Sequence, residues 1–315
     1  MDETNEERPP ASRLQQGALF EVTGTGRFRP GIAAPPPPVA DSPLPVAAYW
    51  YRRHLESHGH TTNTVESYCY DLALFERQIG PKAIAAIAPR DIAHFLDGDL
   101  PRSTRKRRLT SLNGFFKYLI GSAKVLTVDP TENFYPEHIP LKTPRPLFAA
   151  EQERLLAAAA EDSSRAHLLI WLMLCLGLSR GEAINVREDH VDLSEPERPV
   201  VYVYYDNPRW AGKERHLAAD SQFTALYHKF AGEYQPEGRL FPILPQSVNK
   251  IVERVAAAAG INREVTPQTL RDTYAVDQAR AGADEAKLIA LLGLADDPRN
   301  RLSVGRYLKL GAAPL

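Results

Sequence analysis

The sequence predicts a mainly α-helical protein of two domains with one small antiparallel sheet. Three observations lead there. Apolar residues recur at helical spacing through 44–119 and again from 148 onward. Between these stretches, residues 129–146 carry five prolines and little apolar periodicity, which marks an interdomain linker. One run alone, Val200 to Tyr205, has the β-branched and aromatic character of a strand.

Residues 1–43 contain Pro9-Pro10, the run Pro35 to Pro38, and Pro43, with few periodic apolar positions. They read as a disordered or polyproline-like tail, a plain flexible segment first and a partner-binding one as the alternative. The first helix is expected around Val46, Tyr49, Trp50 and Leu55. The segment His60-Thr-Thr-Asn-Thr64 then offers N-cap residues before Val65, Tyr68, Leu72 and Phe75. A third helix is expected over Pro89 to Leu96. A fourth starts near Ser103-Thr104 and runs through Leu109, Leu112, Phe115, Phe116 and Leu119. Residues 44–128 are thus a helical bundle with short loops.

The second domain, 147–315, opens with a helix from Phe148. An apolar helix, Leu168 to Leu176, leads into Gly177-Leu-Ser-Arg-Gly-Glu182. The strand Val200–Tyr205 turns at Asn207-Pro208, and Gly212 to Leu217 is expected to return antiparallel to it. Helices resume after Ser221.

Hydrophobic residues make up 43% of the chain, enough for real cores. No apolar run approaches the length of a membrane span and no basic-then-apolar leader opens the chain. A cytoplasmic protein without membrane contact is expected. Cys69 and Cys175 lie in helical apolar patterns and read as core residues, with no metal-ligand spacing. The net charge of −1 argues against a generic polyanion binder. Its distribution is uneven: residues 43–145 hold 14 Lys and Arg against 10 Asp and Glu, and residues 146–315 hold 20 against 23. The first domain is therefore the better phosphate partner. Its densest basic segment is Arg105-Lys106-Arg107-Arg108, with Lys117 further along the same helix; these five are the candidate DNA contacts.

The stretch Val265-Thr-Pro-Gln-Thr-Leu-Arg-Asp-Thr-Tyr-Ala275, then Leu291-Leu-Gly293, then Tyr307 resembles the C-terminal signature of the tyrosine recombinases, the phage integrase and Xer-type family. Thr62 to Leu72 and Arg102 to Leu119 resemble the first and last long helices of that family's SAM-like core-binding domain. The resemblance implies a core-binding domain over 44–128 and a catalytic-type domain over 147–315, together clamping double-stranded DNA. It also implies the chemistry. A tyrosine attacks a backbone phosphate, leaving a 3′-phosphotyrosine and a free 5′-hydroxyl. Two arginines hold the phosphoryl oxygens, a hairpin lysine protonates the leaving oxygen, and histidines assist. No metal or nucleotide cofactor is needed.

Arg271 and Tyr307 stand at the family's second arginine and its nucleophile. The remaining positions depart from the pattern. Ser179 replaces the first arginine, with Arg180 beside it as a stand-in. Trp210 falls at the lysine, with Arg209 and Lys213 as stand-ins. Gln268 and Asp272 replace the two histidines of the arginine helix, and Leu294 follows the Leu-Leu-Gly turn where the family has histidine or tryptophan. Losing one preorganised donor costs about 10²–10³ in rate. The expected function is a DNA-binding member of this group, tied to recombination or integration at the nucleoid, with cleavage lost or strongly weakened. Two alternatives stand beside it. One is a divergent active recombinase forming a phosphotyrosine through Tyr307. The other is an architectural or regulatory DNA protein that acts through partners, either a related recombinase subunit or a protein recruited by the Pro-rich tail.

Overall fold

A computed structural model describes residues 34–205 and 212–313, and the chain divides into two units, one ending at Pro140 and one starting at Leu141. In the first unit, α1 (Leu44–Ser57) carries a proline in its first turn, where a missing N–H costs nothing. Helix α2 (Thr62–Ile79) starts where Thr61 Oγ1 accepts from Thr64 N and stops at Gly80, whose φ is 73°. Helix α3 (Pro89–Leu96) is capped by Asp91 Oδ2 accepting from Ala88 N at 2.9 Å. Helix α4 (Arg102–Lys117) passes into a π-type turn, Tyr118–Ser122. Leu72, Phe75, Ile92, Phe95, Leu112, Phe115 and Phe116 fill the core with essentially no exposure.

Residues 34–43, expected in the tail, are instead fastened to this bundle. Ala85 N donates to Ala40 O at 3.1 Å and Ile84 N to Ser42 O at 3.0 Å, while Pro43 bridges to Ala83. Prolines and small residues leave no periodic trace in a sequence, so these contacts had no local signal. Residues 1–33 lie outside the described residues.

One charge sits inside this core. The Asp71 side chain is fully buried, with Oδ2 2.7 Å from Arg107 Nη1 and 2.7 Å from Ser111 Oγ, while Oδ1 has no partner. Burial raises its carboxyl above the ordinary value, outweighing Ser111 and Arg107, which pull it down. A raised folded-state value means stability is whole below the unfolded value, about pH 4, and falls as pH rises through the folded one. Asp71→Asn should therefore gain in Tm relative to the parent as pH rises above about 4. A relative Tm that stays flat or declines with rising pH, in paired thermal melts, would contradict this.

The second unit is helical around a three-stranded sheet. Helices α5 (Ala149–Asp162), α6 (Ser164–Cys175) and the single turn α7 (Arg180–Ala183) precede β1 (Val191–Asp192), β2 (Val200–Val203) and β3 (Arg215–Ala218). Then come α8 (Ser221–Tyr234), α9 (Pro245–Ala258), α10 (Pro267–Arg280), α11 (Glu285–Leu291) and α12 (Pro298–Gly311). The sheet order is β1-β2-β3, all antiparallel, with Val201 opposite Val191 on one side and Leu217 on the other. The β2–β3 pairing follows the expected hairpin; β1 is too short to show alternation and was not expected. Leu168 through Leu174 are buried all round α6, which makes it the central helix, packed against α5, α8 and α10. A smaller cluster of Tyr274, Val276, Leu288, Leu292, Val304 and Tyr307 joins α10, α11 and α12. Among the described residues, no helix is long and apolar enough to cross a membrane.

Candidate functional site

The site is organised by a buried carboxylate. Ser179-Arg-Gly-Glu182 folds as a capping box: Glu182 N donates to Ser179 Oγ at 3.2 Å and Ser179 N to Glu182 Oε2 at 2.7 Å. Ser179 therefore serves as the N-cap of α7. Glu182 Oε2 also accepts from Arg271 Nη1 at 2.8 Å, and Oε1 from Arg215 Nη1 at 2.8 Å and from the Tyr205 hydroxyl. Burial disfavours the Glu182 charge, but Arg271 and Arg215 outweigh it and hold the carboxyl far below the usual range. The Tyr205 hydroxyl is pushed up to about 12, by burial first and by the Glu182 charge second.

Arg271 is committed within the fold. Besides Glu182, its Nη1 donates to Gly177 O at 2.5 Å and its Nη2 to Leu292 O. Arg215 is as deeply placed, with its side chain 8% exposed, yet its Nε and Nη2 have no partner. Neither Glu182, Tyr205 nor Arg215 stood among the candidates read from sequence. The signal was there for Glu182: Ser-x-x-Glu after an apolar helix is a helix-start motif.

A second network holds the tyrosine. Tyr307, on α12, is 7% exposed, and its hydroxyl donates to Asp272 Oδ1 at 2.7 Å. The same oxygen accepts from Gln268 Nε2 at 2.8 Å. Gln268 and Asp272 are one helical turn apart on α10, so the two substituted positions share a face with Tyr307's oxygen. Burial raises the Tyr307 hydroxyl well above its ordinary value, and the Asp272 charge raises it further, against Arg271 and Arg306, which lower it. Helix α12 starts at Asp297, whose side chain accepts from Asn300 N at 2.8 Å, with Pro298 in the first turn. Asp297 and the residues after it are thus the start of the helix that carries Tyr307.

The other candidates are dispersed. Arg180 Nη1 bonds Asn249 Oδ1 on α9 at 3.1 Å, so it is not drawn into the Glu182 cluster as a second arginine would be. As the first residue of α7 it diverges from the face its neighbour occupies. Leu294 packs on the apolar cluster around Tyr307. Lys213 is half-buried ahead of β3. Arg209 and Trp210 lie outside the described residues.

A groove of about 780 Å³ opens beside the tyrosine network, bordered by Lys142, Arg145, Thr266, Gln268, Thr269 and Asp272. The end of the expected linker forms one wall and is pinned there. Arg263 donates to Arg145 O at 2.9 Å and to Pro146 O at 2.8 Å, Thr273 Oγ1 accepts from Leu147 N at 2.9 Å, and Arg306 donates to Lys142 O.

In the first unit the basic run is not the free face that its composition suggests. Arg105 donates to Leu96 O at 3.0 Å and pairs with Glu137 at 2.7 Å. Arg107 pairs with buried Asp71, and Arg108 donates to Phe95 O at 2.9 Å with its guanidinium over the Phe95 ring. These three arginines tie α4 to α2, α3 and the segment after the bundle. Lys117 is exposed and Lys106 half-exposed, eleven residues apart and hence on one face of α4.

Comparison with known proteins places these features. Residues 50–122 match the phage integrase N-terminal SAM-like domain. The tyrosine recombinase XerD of Caulobacter vibrioides is 30% identical over 217 residues, covering 62% of this chain and 68% of that protein. XerD of Pseudomonas putida is 28% identical over 285 residues, covering 82% and 91%. Among solved structures, a lambda integrase dimer (residues 75–356) bound to a COC′ core site superposes with a TM-score of 0.67 at 17% identity, covering 85% of this chain and 95% of that one. That last likeness is one of fold.

Proposed function

This chain belongs to the tyrosine recombinase family, and from that premise we propose that it binds duplex DNA in recombination or integration while its own strand cleavage is lost or strongly weakened. The observation that carries the reading is the Tyr307 hydroxyl, which donates a hydrogen bond to the Asp272 carboxylate at 2.7 Å. A nucleophile at this position must approach a phosphate, and the adjoining carboxylate repels that phosphate. Histidine at the Gln268 and Asp272 positions would donate to phosphate oxygens; glutamine cannot exchange a proton at neutral pH, and aspartate adds charge of the wrong sign. Arg271 remains, but both its Nη atoms already serve protein acceptors.

DNA contact in the first unit falls to Lys106 and Lys117 on this reading, because Arg105, Arg107 and Arg108 bond within the fold. On this reading the protein works in the cytoplasm, at the nucleoid. Replacing both lysines with alanine should weaken binding on all duplex sequences and lower the salt slope by about 1 per lysine. An unchanged slope would remove this face from the interface. Tyr307→Phe should keep duplex affinity within about twofold and leave recombination frequency in cells unchanged. A large drop in that frequency would argue for retained catalysis.

A further inference from the structure

A run of prolines has no backbone N–H to give, so whatever binds it must supply the donors. Pro35–Pro38 is such a run, and Trp50 on α1 supplies one: its indole Nε1 donates to Pro36 O at 2.9 Å. Within the run, Pro35 and Pro38 are buried while Pro36 and Pro37 are exposed. A polyproline II helix has three residues per turn, so positions 35 and 38 share a face. One face of the run is covered and the other meets solvent, which is how polyproline ligands lie in aromatic grooves. Around that hydrogen bond the surface of α1 is aromatic. Trp50 meets Tyr49 edge-on, with ring centroids 5.5 Å apart, and it borders an open groove of about 640 Å³ also lined by Arg53, His54 and Tyr118. Just past the run the chain is clamped by a turn, with Ser42 N donating to Val39 O at 2.9 Å and Val39 N to Ser42 Oγ at 2.9 Å. The run is therefore tethered beside its receptor.

We propose that the Trp50 face of α1 is a binding surface for proline-rich segments in the polyproline II conformation, with Pro35–Pro38 of the same chain as its resident ligand. A tethered ligand excludes free ones through its effective concentration. A proline-rich segment of another protein gains the surface only when the resident run is released.

The test uses the full chain, its Pro35→Ser/Pro38→Ser variant, and a synthetic peptide Ala-Pro-Pro-Pro-Pro-Val. The readout is the Trp50 indole N–H resonance, assigned with Trp50→Phe. The double substitution should shift that resonance, and the peptide should move it back with saturation. On the parent, the peptide should bind at least about tenfold more weakly. Equal binding to both proteins would show that the run does not occupy the surface, and no binding to either would show that the surface does not recognise polyproline. Either result overturns the proposal. Should the double variant unfold, Trp50→Phe probes the same contact. Elastase should then cut at Val39 or Ala40 about fivefold faster, the factor for one lost hydrogen bond, and an unchanged rate would count against the proposal.

Discussion

Glu182→Gln is expected to destabilise the second unit by about 3–5 kcal/mol, the range for removing one partner of a buried ion pair. Glutamine keeps the shape and still suits the third position of a capping box, so α7 retains its start and the loss reports the charge. Arg271 and Arg215, each about 10% exposed or less at the side chain, are left without their shared anion. Arg215 already has two nitrogens unpartnered and would keep only a long 3.4 Å hydrogen bond to the Tyr205 hydroxyl. For a unit of this size the expected fall in Tm is about 2–4 °C per kcal/mol. The pH dependence carries the same signature. A depressed folded-state value gives stability that is whole above the unfolded value, about 4.3, and is lost as pH falls toward the folded one. The gap between parent and variant should therefore narrow in acid. A gap that is constant with pH would show that the charge of Glu182 is not what stabilises the cluster.

Gly177→Ala should cost about 3 kcal/mol or more. Two independent penalties meet there. Gly177 has φ of 67°, which costs an L-residue about 1–2 kcal/mol. A Cβ at this position would also lie 2.2 Å from Cδ1 of the Tyr274 ring, on the buried side of α10, and overpacking of that kind costs about 1–3 kcal/mol. The ring cannot yield easily, since Tyr274 is 6% exposed within the cluster that also holds Tyr307. Any shift of the backbone would pull Gly177 O away from Arg271. Gly181→Ala is the control: a Cβ there meets nothing within 4 Å and φ is not positive, so denaturant midpoints should be unchanged or slightly raised. Equal effects of the two substitutions would refute the packing argument.

How far the sequence foretold all this depended on the range of each interaction. Helix α10 was legible from the resemblance of Val265 to Ala275 to the family signature, and the Thr266 side chain starts it by accepting from Thr269 N. The hairpin of β2 and β3 was legible from Val200-Val-Tyr-Val. The Glu182 cluster was not, since it joins residues 33 and 89 positions apart, beyond any periodicity. The basic run misled for a related reason. Read in one dimension, Arg105 to Arg108 is a charged face; on a helix, Arg107 and Ser111 point to one neighbour while Arg105 and Arg108 point to another. A sharper reading was available. Asp71 falls between Tyr68 and Phe75 on the apolar stripe of α2, and a carboxylate on a buried stripe demands a cation. Gln268, Asp272 and Tyr307 were named from the sequence as separate positions; that one carboxylate oxygen joins them required the packing of α12 on α10.

On the reading proposed above, this fold binds DNA without cutting it. The most direct measurement is covalent capture: a bound duplex, nicked beside the presumed scissile phosphate so that cleavage cannot reverse, incubated with the parent and with Tyr307→Phe and resolved on a denaturing gel. Both proteins should bind the duplex equally and saturably, and neither should form a protein–DNA adduct. An adduct formed by the parent and absent from Tyr307→Phe would contradict that reading, and would mean that the hydrogen bond to Asp272 is broken when DNA arrives.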